Sequence, residues 1–477
     1  MTKLPNILFF GIDSLRRTRM SEYGYERLTT PHMSNYIKNG ASFTQMFSAS
    51  IPTTPGYCCM LTGQDCFGTD VVALRHTAHN NEVAPGVKML SEILKENGYN
   101  TSCIQFKGNA GGRGYDTYLE FAGWGPDHDD GRAHKAQNCN DVVIPEMERL
   151  QAEGKPWFLF MRYMDPHSPY LAPAPFKDMF FQGVYDDPDD KSLEGLFNFK
   201  PFRDYIRSWI PEGCTSADYV DAQYDAAVAY LDTAINQVIV KMQAMGIEED
   251  TLVVFVSDHG ETLNEHDCYY DHHGLYEPTL TVPFALVWKG HIAPGQRFDN
   301  ICQLKDVTPT ILDVLGIDKE PFHFNGRSLS PLMNGETIVA EDEFYITECT
   351  WMRKHGWRTP EWKLIRALEP DLHFKPPIGY VRKLDRFFTE LYNLIDDPKE
   401  LHNLADERPE IVEFYTQKME AYIAKREAET GRTNPMYTNL NWHANPNHNG
   451  PYETSQQAYD GLYIGSVAQA VSLQQKK

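Results

Sequence analysis

Hydrophobic residues in this chain come in short dense runs that stop abruptly on charged or polar residues. Residues 6–12 (NILFFGI) end at Asp13, 101–106 (TSCIQF) at Lys107, 157–164 (WFLFMRYM) at Asp165 and His167, and 251–257 (TLVVFVS) at Asp258 and His259. Runs of this length, rich in β-branched and aromatic residues, predict strands buried on both faces. Between them, residues 86–97 and 218–245 have helical spacing, and Leu231, Ile235, Val238 and Met242 fall on one face of the second. Strands alternating with helices predict an α/β fold: a large mixed, mostly parallel sheet sandwiched by helices. Ligands of such sheets gather beyond the carboxyl ends of the strands, so these polar ends are expected to converge.

The pattern changes twice. Residues 171–215 are rich in Pro, Asp and aromatics without periodicity, which predicts a long insertion that shapes access to the converged ends. From about residue 320, strands such as EFYITECTW and EWKLIRAL precede a helix near 408–428. The expected organisation is a large α/β domain over 1–320, a small α+β subdomain over 321–430, and a tail over 431–477. The tail, rich in Asn, Tyr and Gln without a core pattern, reads as an arm for homo-oligomerisation or as a loosely ordered segment.

Composition narrows the class. With 42% hydrophobic and 23% charged residues, 477 residues can bury a sizeable core. A formal charge of −22 argues against nucleic acid or an anionic membrane as the main partner and leaves room for a local cationic pocket holding a small anion. The apolar run in MTKLPNILFFGID is too short for a signal-peptide core or a bilayer span, so the chain is expected to be cytoplasmic. Nine cysteines without chelating spacing, including the adjacent Cys58 and Cys59, read as reduced buried thiols.

Chemistry concentrates at the strand ends. Asp258 and His259, in SDHGETLNEHD, offer a carboxylate and an imidazole to a divalent cation, and Asp13 offers a second carboxylate after another buried strand. In IPTTPGYCCMLTG, residues 51–63, a Pro-Gly turn leads into an apolar segment, so a helix start is expected there. Such a start favours an anionic tetrahedral group. Thr53 or Thr54 would act on that group, or would serve only as an N-cap.

Taken together, these motifs resemble the sulfatase family of the alkaline phosphatase superfamily. The resemblance rests on GIDSLRRTRMSEYGYERLTTPHM around Asp13, TTPGYCCMLTG, DPHSPY at 165–170, SDHGE at 257–261, HHGLYEPTLTVPF at 272–284 and ELYNLIDDPKELHNLA at 390–405. The motifs occur in the family's order and cover the chain to about residue 430. The resemblance implies an alkaline phosphatase-like fold and one divalent metal ion (Mn, Ca, Mg or Zn) bound by Asp13, Asp258 and His259 with the nucleophile. The family's nucleophile is a Cys or Ser converted to formylglycine, at the start of a C/S-x-P-S-R motif ten residues before the Gly of LTG. Counting back from Gly63 lands on Thr53, which that chemistry cannot convert. Cys58 and Cys59 lie too far along to substitute, Tyr57 stands at the motif's Arg, and Ser14 stands where many sulfatases carry a second metal-binding Asp.

These departures shift the expected substrate. A formylglycine hydrate expels sulfate by collapsing to the aldehyde, whereas an ester on Thr53 must be cleaved by a separate water attack. Relatives with a Thr nucleophile, such as lipoteichoic acid synthases and phosphoglycerol or phosphoethanolamine transferases, handle phosphoryl groups. The expected activity is therefore hydrolysis of a phosphodiester, a phosphonate monoester or a sulfate ester, a small anionic substrate in each case. The resemblance places His167 and His273 as substrate-facing catalytic histidines and His272 where sulfatases often carry Lys, while Lys107, at the end of the 101–106 run, is a candidate contact to the anion although the family's GKWHLG-like sequence is missing there. Alternatives are a sulfatase proper, transfer from Thr53 to an alcohol acceptor, and a non-catalytic sulfatase-like binding protein. The transferases are usually membrane-tethered, which disfavours transfer, and the retained Asp13, Asp258 and His259 disfavour a dead site.

Overall fold

A computed structural model of the chain describes residues 4–73, 83–105, 110–123, 134–197, 200–350, 353–368 and 389–438. Lys107 and residues 439–477, which make up most of the expected oligomerisation arm, lie outside the described residues. Among the described residues no helix is long and apolar enough to cross a membrane.

The large sheet has eight strands: β1 (Asn6–Ile12), β2 (Ala41–Phe47), β4 (Asn100–Ile104), β5 (Thr117–Leu119), β6 (Trp157–Tyr163), β7 (Thr251–Ser257), β8 (Thr281–Val287) and β9 (Gln296–Gln303). Their order is β5-β4-β6-β1-β7-β8-β2-β9. The first five run parallel, β8 is antiparallel to both β7 and β2, and β9 is parallel to β2. The expected α/β architecture, a mixed and mostly parallel sheet between helices, is thus the observed one.

Alternation along β1 explains why the run is apolar throughout. Leu8, Phe10 and Ile12 pack into one core with the helices Lys135–Ala152 and Ala217–Ala244, while Ile7 and Phe9 pack into another with the helices Thr53–Thr62 and Leu90–Glu96. Each face of the central strand thus meets helices. The second helix expected from sequence spans Ala217–Ala244, and Ser216 caps it by accepting from the Tyr219 backbone N–H. The segment expected to be helical from 86 begins only at Leu90, because Gly86 has a positive φ and Met89 is extended with its N–H held by Glu92. The insertion at 171–215 contains two short helices, Glu194–Phe197 and Lys200–Arg207.

A second sheet has the order β13-β12-β11-β10-β3, built from β3 (Ser50–Ile51), β10 (Phe344–Cys349), β11 (Arg353–Arg358), β12 (Trp362–Ala367) and β13 (Thr389–Asn393). The helix Pro409–Thr430 packs on it through Met419 and Ile423 and ends at Gly431, whose φ is positive. β3 comes from the N-terminal part of the chain and pairs with β10 through Thr347 and Glu348. Two residues later the chain reaches Thr53. All nine cysteines are buried free thiols.

Candidate active site

Neighbouring parallel strands set the site. β1 and β7 are in register through Ile12 and Ser257, so the next residues, Asp13 and Asp258, leave adjacent strands at the same level. Ser257 Oγ fastens the two ends by donating to the Ile12 carbonyl at 2.8 Å and accepting from the Leu15 N–H at 3.0 Å. Ser14 then takes a positive φ of 62°, and its N–H donates to Asp258 Oδ1 at 3.2 Å. Its carbonyl accepts from the Tyr224 hydroxyl at 2.7 Å.

Thr53 is the first residue of its helix. The N-cap position is Pro52, without a side-chain capping bond, so the Thr53 hydroxyl is not serving as an N-cap. Instead Thr53 Oγ1 lies 3.0 Å from His259 Nε2. Gly56 permits this approach: a Cβ there would come within 2.6 Å of the Asp258 carbonyl oxygen.

Asp13, Asp258 and His259 are fully buried, and one ligand atom from each lies within 4.8 Å of the others. His259 Nε2 is 3.8 Å from Asp13 Oδ1 and 3.4 Å from Asp258 Oδ2. His259 Nδ1 is 2.8 Å from the Gly260 carbonyl, to which it can only donate, so the lone pair of the neutral ring is on Nε2. Asp258 Oδ2 has no hydrogen bond among the described residues. Two carboxylates and an imidazole lone pair, dry and converging, fit a divalent cation.

The electrostatics agree with that fit. Burial opposes ionisation of Asp13, but Arg162 overrides it and holds the carboxyl well below its ordinary range, with Arg162 Nε and Nη2 donating to Oδ2 at 3.0 and 2.5 Å. Burial, and then the charge on Asp13, push Asp258 well above the carboxylate range. Burial and the neighbouring His272 lower His259 to about 3. Without a cation the site thus holds one carboxylate charge comfortably and resists the second.

The three other predicted histidines separate. His167 follows β6 in a loop held by buried Lys135, whose Nζ donates to the His167 carbonyl at 2.6 Å and the Pro169 carbonyl at 3.2 Å. The ring of His272 lies 4.5 Å from that of His259 and 5.4 Å from that of His167, centroid to centroid. His272 Nδ1 is 2.7 Å from Asp271 Oδ1, and Asp271, prevailing over burial, raises His272 to about 10. His273 turns the other way, with Nε2 3.1 Å from Asp271 Oδ2 and Nδ1 3.0 Å from Thr350 Oγ1.

Sequence reasoning missed Arg162, Asp271 and Glu261. The signal for Arg162 was a cation inside an otherwise apolar strand, which demands a buried anion as partner. Glu261, raised to about 8 first by burial and then by Asp271, accepts from the Tyr170 hydroxyl at 2.9 Å. Its DHGE context alone did not mark it as buried.

Comparison with known proteins gives two family-model matches. The sulfatase model matches residues 5–317, and the model for the C-terminal region of N-sulphoglucosamine sulphohydrolase matches 264–428. The chain is 24% identical over 464 residues to a choline-sulfatase of Rhizobium meliloti, covering 85% of this chain and 83% of that protein. Among solved structures, it is similar to a protein in complex with its substrate D-glucosamine-2-N,6-O-disulfate (19% identity, TM-score 0.69, covering 89% of this chain and 99% of the other). It is also similar to the phosphonate monoester hydrolase of Agrobacterium radiobacter (18% identity, TM-score 0.68, 88% and 96%). At these identities the structural likenesses establish the shared fold.

Proposed function

The chain belongs to the sulfatase family, enzymes that hydrolyse ester bonds, and from that premise we propose that it cleaves a phosphodiester, a phosphonate monoester or a sulfate ester through Thr53. The observation that carries this reading is the Thr53 hydroxyl, 3.0 Å from His259 Nε2 at the open end of a helix and beside two converging carboxylates.

Asp13, Asp258 and His259 would hold a divalent ion, which when bound would supply Lewis-acid stabilisation of charge on the ester and lower the pKa of a nearby hydroxyl. The chain's own residues do the rest. Thr53 Oγ1 attacks phosphorus or sulfur, its proton passes to solvent water, and the bond to the alcohol oxygen breaks. His167 Nδ1 donates to the Ser168 carbonyl at 2.7 Å, so Nε2 carries the lone pair of the neutral ring and takes a proton from solvent before passing it to the departing oxygen. His272, tied to Asp271, faces a non-bridging oxygen together with the backbone N–H groups at the start of the Thr53 helix. Water then attacks the ester on Thr53 and releases the acid. Because this step needs a second attack at the same centre, phosphorus esters suit Thr53 better than sulfate esters.

A panel of chromogenic sulfate, phosphate monoester, phosphodiester and phosphonate substrates, assayed with Mn, Ca, Mg and Zn, tests this reading. Turnover is expected on at least one class, with an acid-stable mass increase on the peptide containing Thr53 after rapid quench. No turnover on any class with any metal would refute it.

A further inference from the structure

Resting on that reading, in which His272 faces the reacting group, we infer that Asp271 is a positioning residue. Its carboxylate bridges His272 and His273 and thereby braces the site-facing ring against the C-terminal sheet. The bridge uses both oxygens, Oδ1 at 2.7 Å from His272 Nδ1 and Oδ2 at 3.1 Å from His273 Nε2. The network continues inward. His273 Nδ1 lies 3.0 Å from Thr350 Oγ1, and the Thr350 hydroxyl donates to Glu348 Oε1 at 2.6 Å. The Gly274 N–H donates to the same oxygen at 2.9 Å, closing a ring of contacts around the turn that carries both histidines.

His273, Glu348 and Thr350 are buried, so no water competes for the contacts among them, while Asp271 and His272 are partly exposed. Glu348 also sits opposite Ile51 in the β10–β3 pair, two residues before Thr53. The C-terminal sheet therefore reaches the site by two routes: through β3 to the nucleophile, and through Glu348, Thr350, His273 and Asp271 to His272. An imidazole with one nitrogen committed to Asp271 has only Nε2 left for an anion, and its usefulness depends on where that nitrogen points. His273, in contact with Thr350 through Nδ1 and within ion-pair distance of Asp271 through Nε2, serves as the brace.

The test is a mutant cycle on the full chain saturated with metal: wild type, D271N, H272K and D271N/H272K. Readouts are kcat/KM on the best ester of the panel and the dissociation constant of inorganic phosphate. D271N is expected to lower kcat/KM by roughly 30- to 100-fold, the scale of a misplaced catalytic contact. On the H272K background it should cost less than about threefold, because an ammonium on a flexible stem needs no pivot. T350V, remote from the reacting atoms, should lower kcat/KM by roughly fivefold, and T350S should restore it. Equal D271N losses on both backgrounds would overturn the inference. So would D271N and T350V both staying within about twofold of wild type, or an H272K chain that binds no phosphate. A chain that turns over no ester yet shows this D271N pattern in phosphate binding would sink the hydrolase reading and leave the role of Asp271 standing.

Discussion

Replacing Thr53 by Ala separates a nucleophile from a structural residue, because the two roles predict losses of different kinds. The hydroxyl caps nothing, so the penalty of about 0.5 to 2 kcal/mol for losing an N-cap does not apply. What is lost is one buried contact to His259 Nε2 at 3.0 Å, with a net worth of about 1 kcal/mol, partly offset by alanine's higher helix propensity of about 0.5 kcal/mol. The global stability change should therefore be within about 1 kcal/mol, a small displacement of the urea midpoint. Turnover should fall by at least about 10³-fold, equivalent to roughly 4 kcal/mol of lost transition-state stabilisation, since the proposed covalent ester is lost with the hydroxyl. The assay is kcat/KM per folded molecule at saturating metal, alongside urea denaturation, with Thr54→Ala as control and Thr53→Ser expected to retain most of the rate. Near wild-type turnover by folded Thr53→Ala would refute the reasoning and point to direct attack by water.

Chelation should abolish turnover and lower Tm, and metal restored at about a hundredfold excess over Kd should recover roughly 2.7 kcal/mol of stability; a Tm indifferent to every divalent ion would contradict the ligand assignment. Gly56→Ala should weaken metal binding and turnover by roughly 10- to 100-fold although alanine favours helix, because its Cβ would meet the Asp258 carbonyl at 2.6 Å; metal titration checks this. Arg162→Met strands the buried Asp13 carboxylate and should cost about 3 to 5 kcal/mol in chelator but clearly less with metal, so equal losses in the two urea series would count against a cation beside Asp13. Lys354, prevailing over burial, holds Glu390 down at about 2, so its contribution of about 3 kcal/mol is complete above the ordinary glutamate range and is lost as pH falls toward 2; Glu390→Gln should flatten that acid limb.

The sheet was legible because β1, β6 and β7 are apolar at nearly every position, a pattern that few other environments tolerate. The same pattern brought Asp13, Asp258 and His259 into view, since a carboxylate after a doubly buried strand has nowhere to go but the carboxyl edge, whereas Thr53 came from the family register counted back from Gly63. Other features depend on contacts far apart in sequence. A two-residue strand such as β3 has no periodicity to read, so its place in the second sheet was invisible. The directions of His272 and His273 are set by a turn in which Thr262 and Asp271 pair, and adjacent residues cannot be told apart by spacing. Arg162 was hidden because one cation in seven strand residues changes the periodicity little, although its need for an anion was readable.

Ser14 and Arg162 together show how the site differs electrostatically from one with a further aspartate. The positive φ at Ser14 costs on the order of 1 kcal/mol, and in return it turns a backbone N–H onto Asp258 where a carboxylate would have added charge. Arg162 then neutralises part of Asp13. The ligand cluster therefore has two carboxylates opposed by one guanidinium, and the nearby His272 is paired with Asp271. The chain's charge of −22 repels an anionic ester at long range, but over a screening length of about 8 Å the local groups decide. At Thr53 those groups are a helix start, Arg162, His272 and the cation the site would hold. Removing one carboxylate from such a cluster weakens the hold on the cation and strengthens the pull on the substrate anion. That trade is sensible only if the reacting group arrives carrying negative charge close to Thr53 Oγ1.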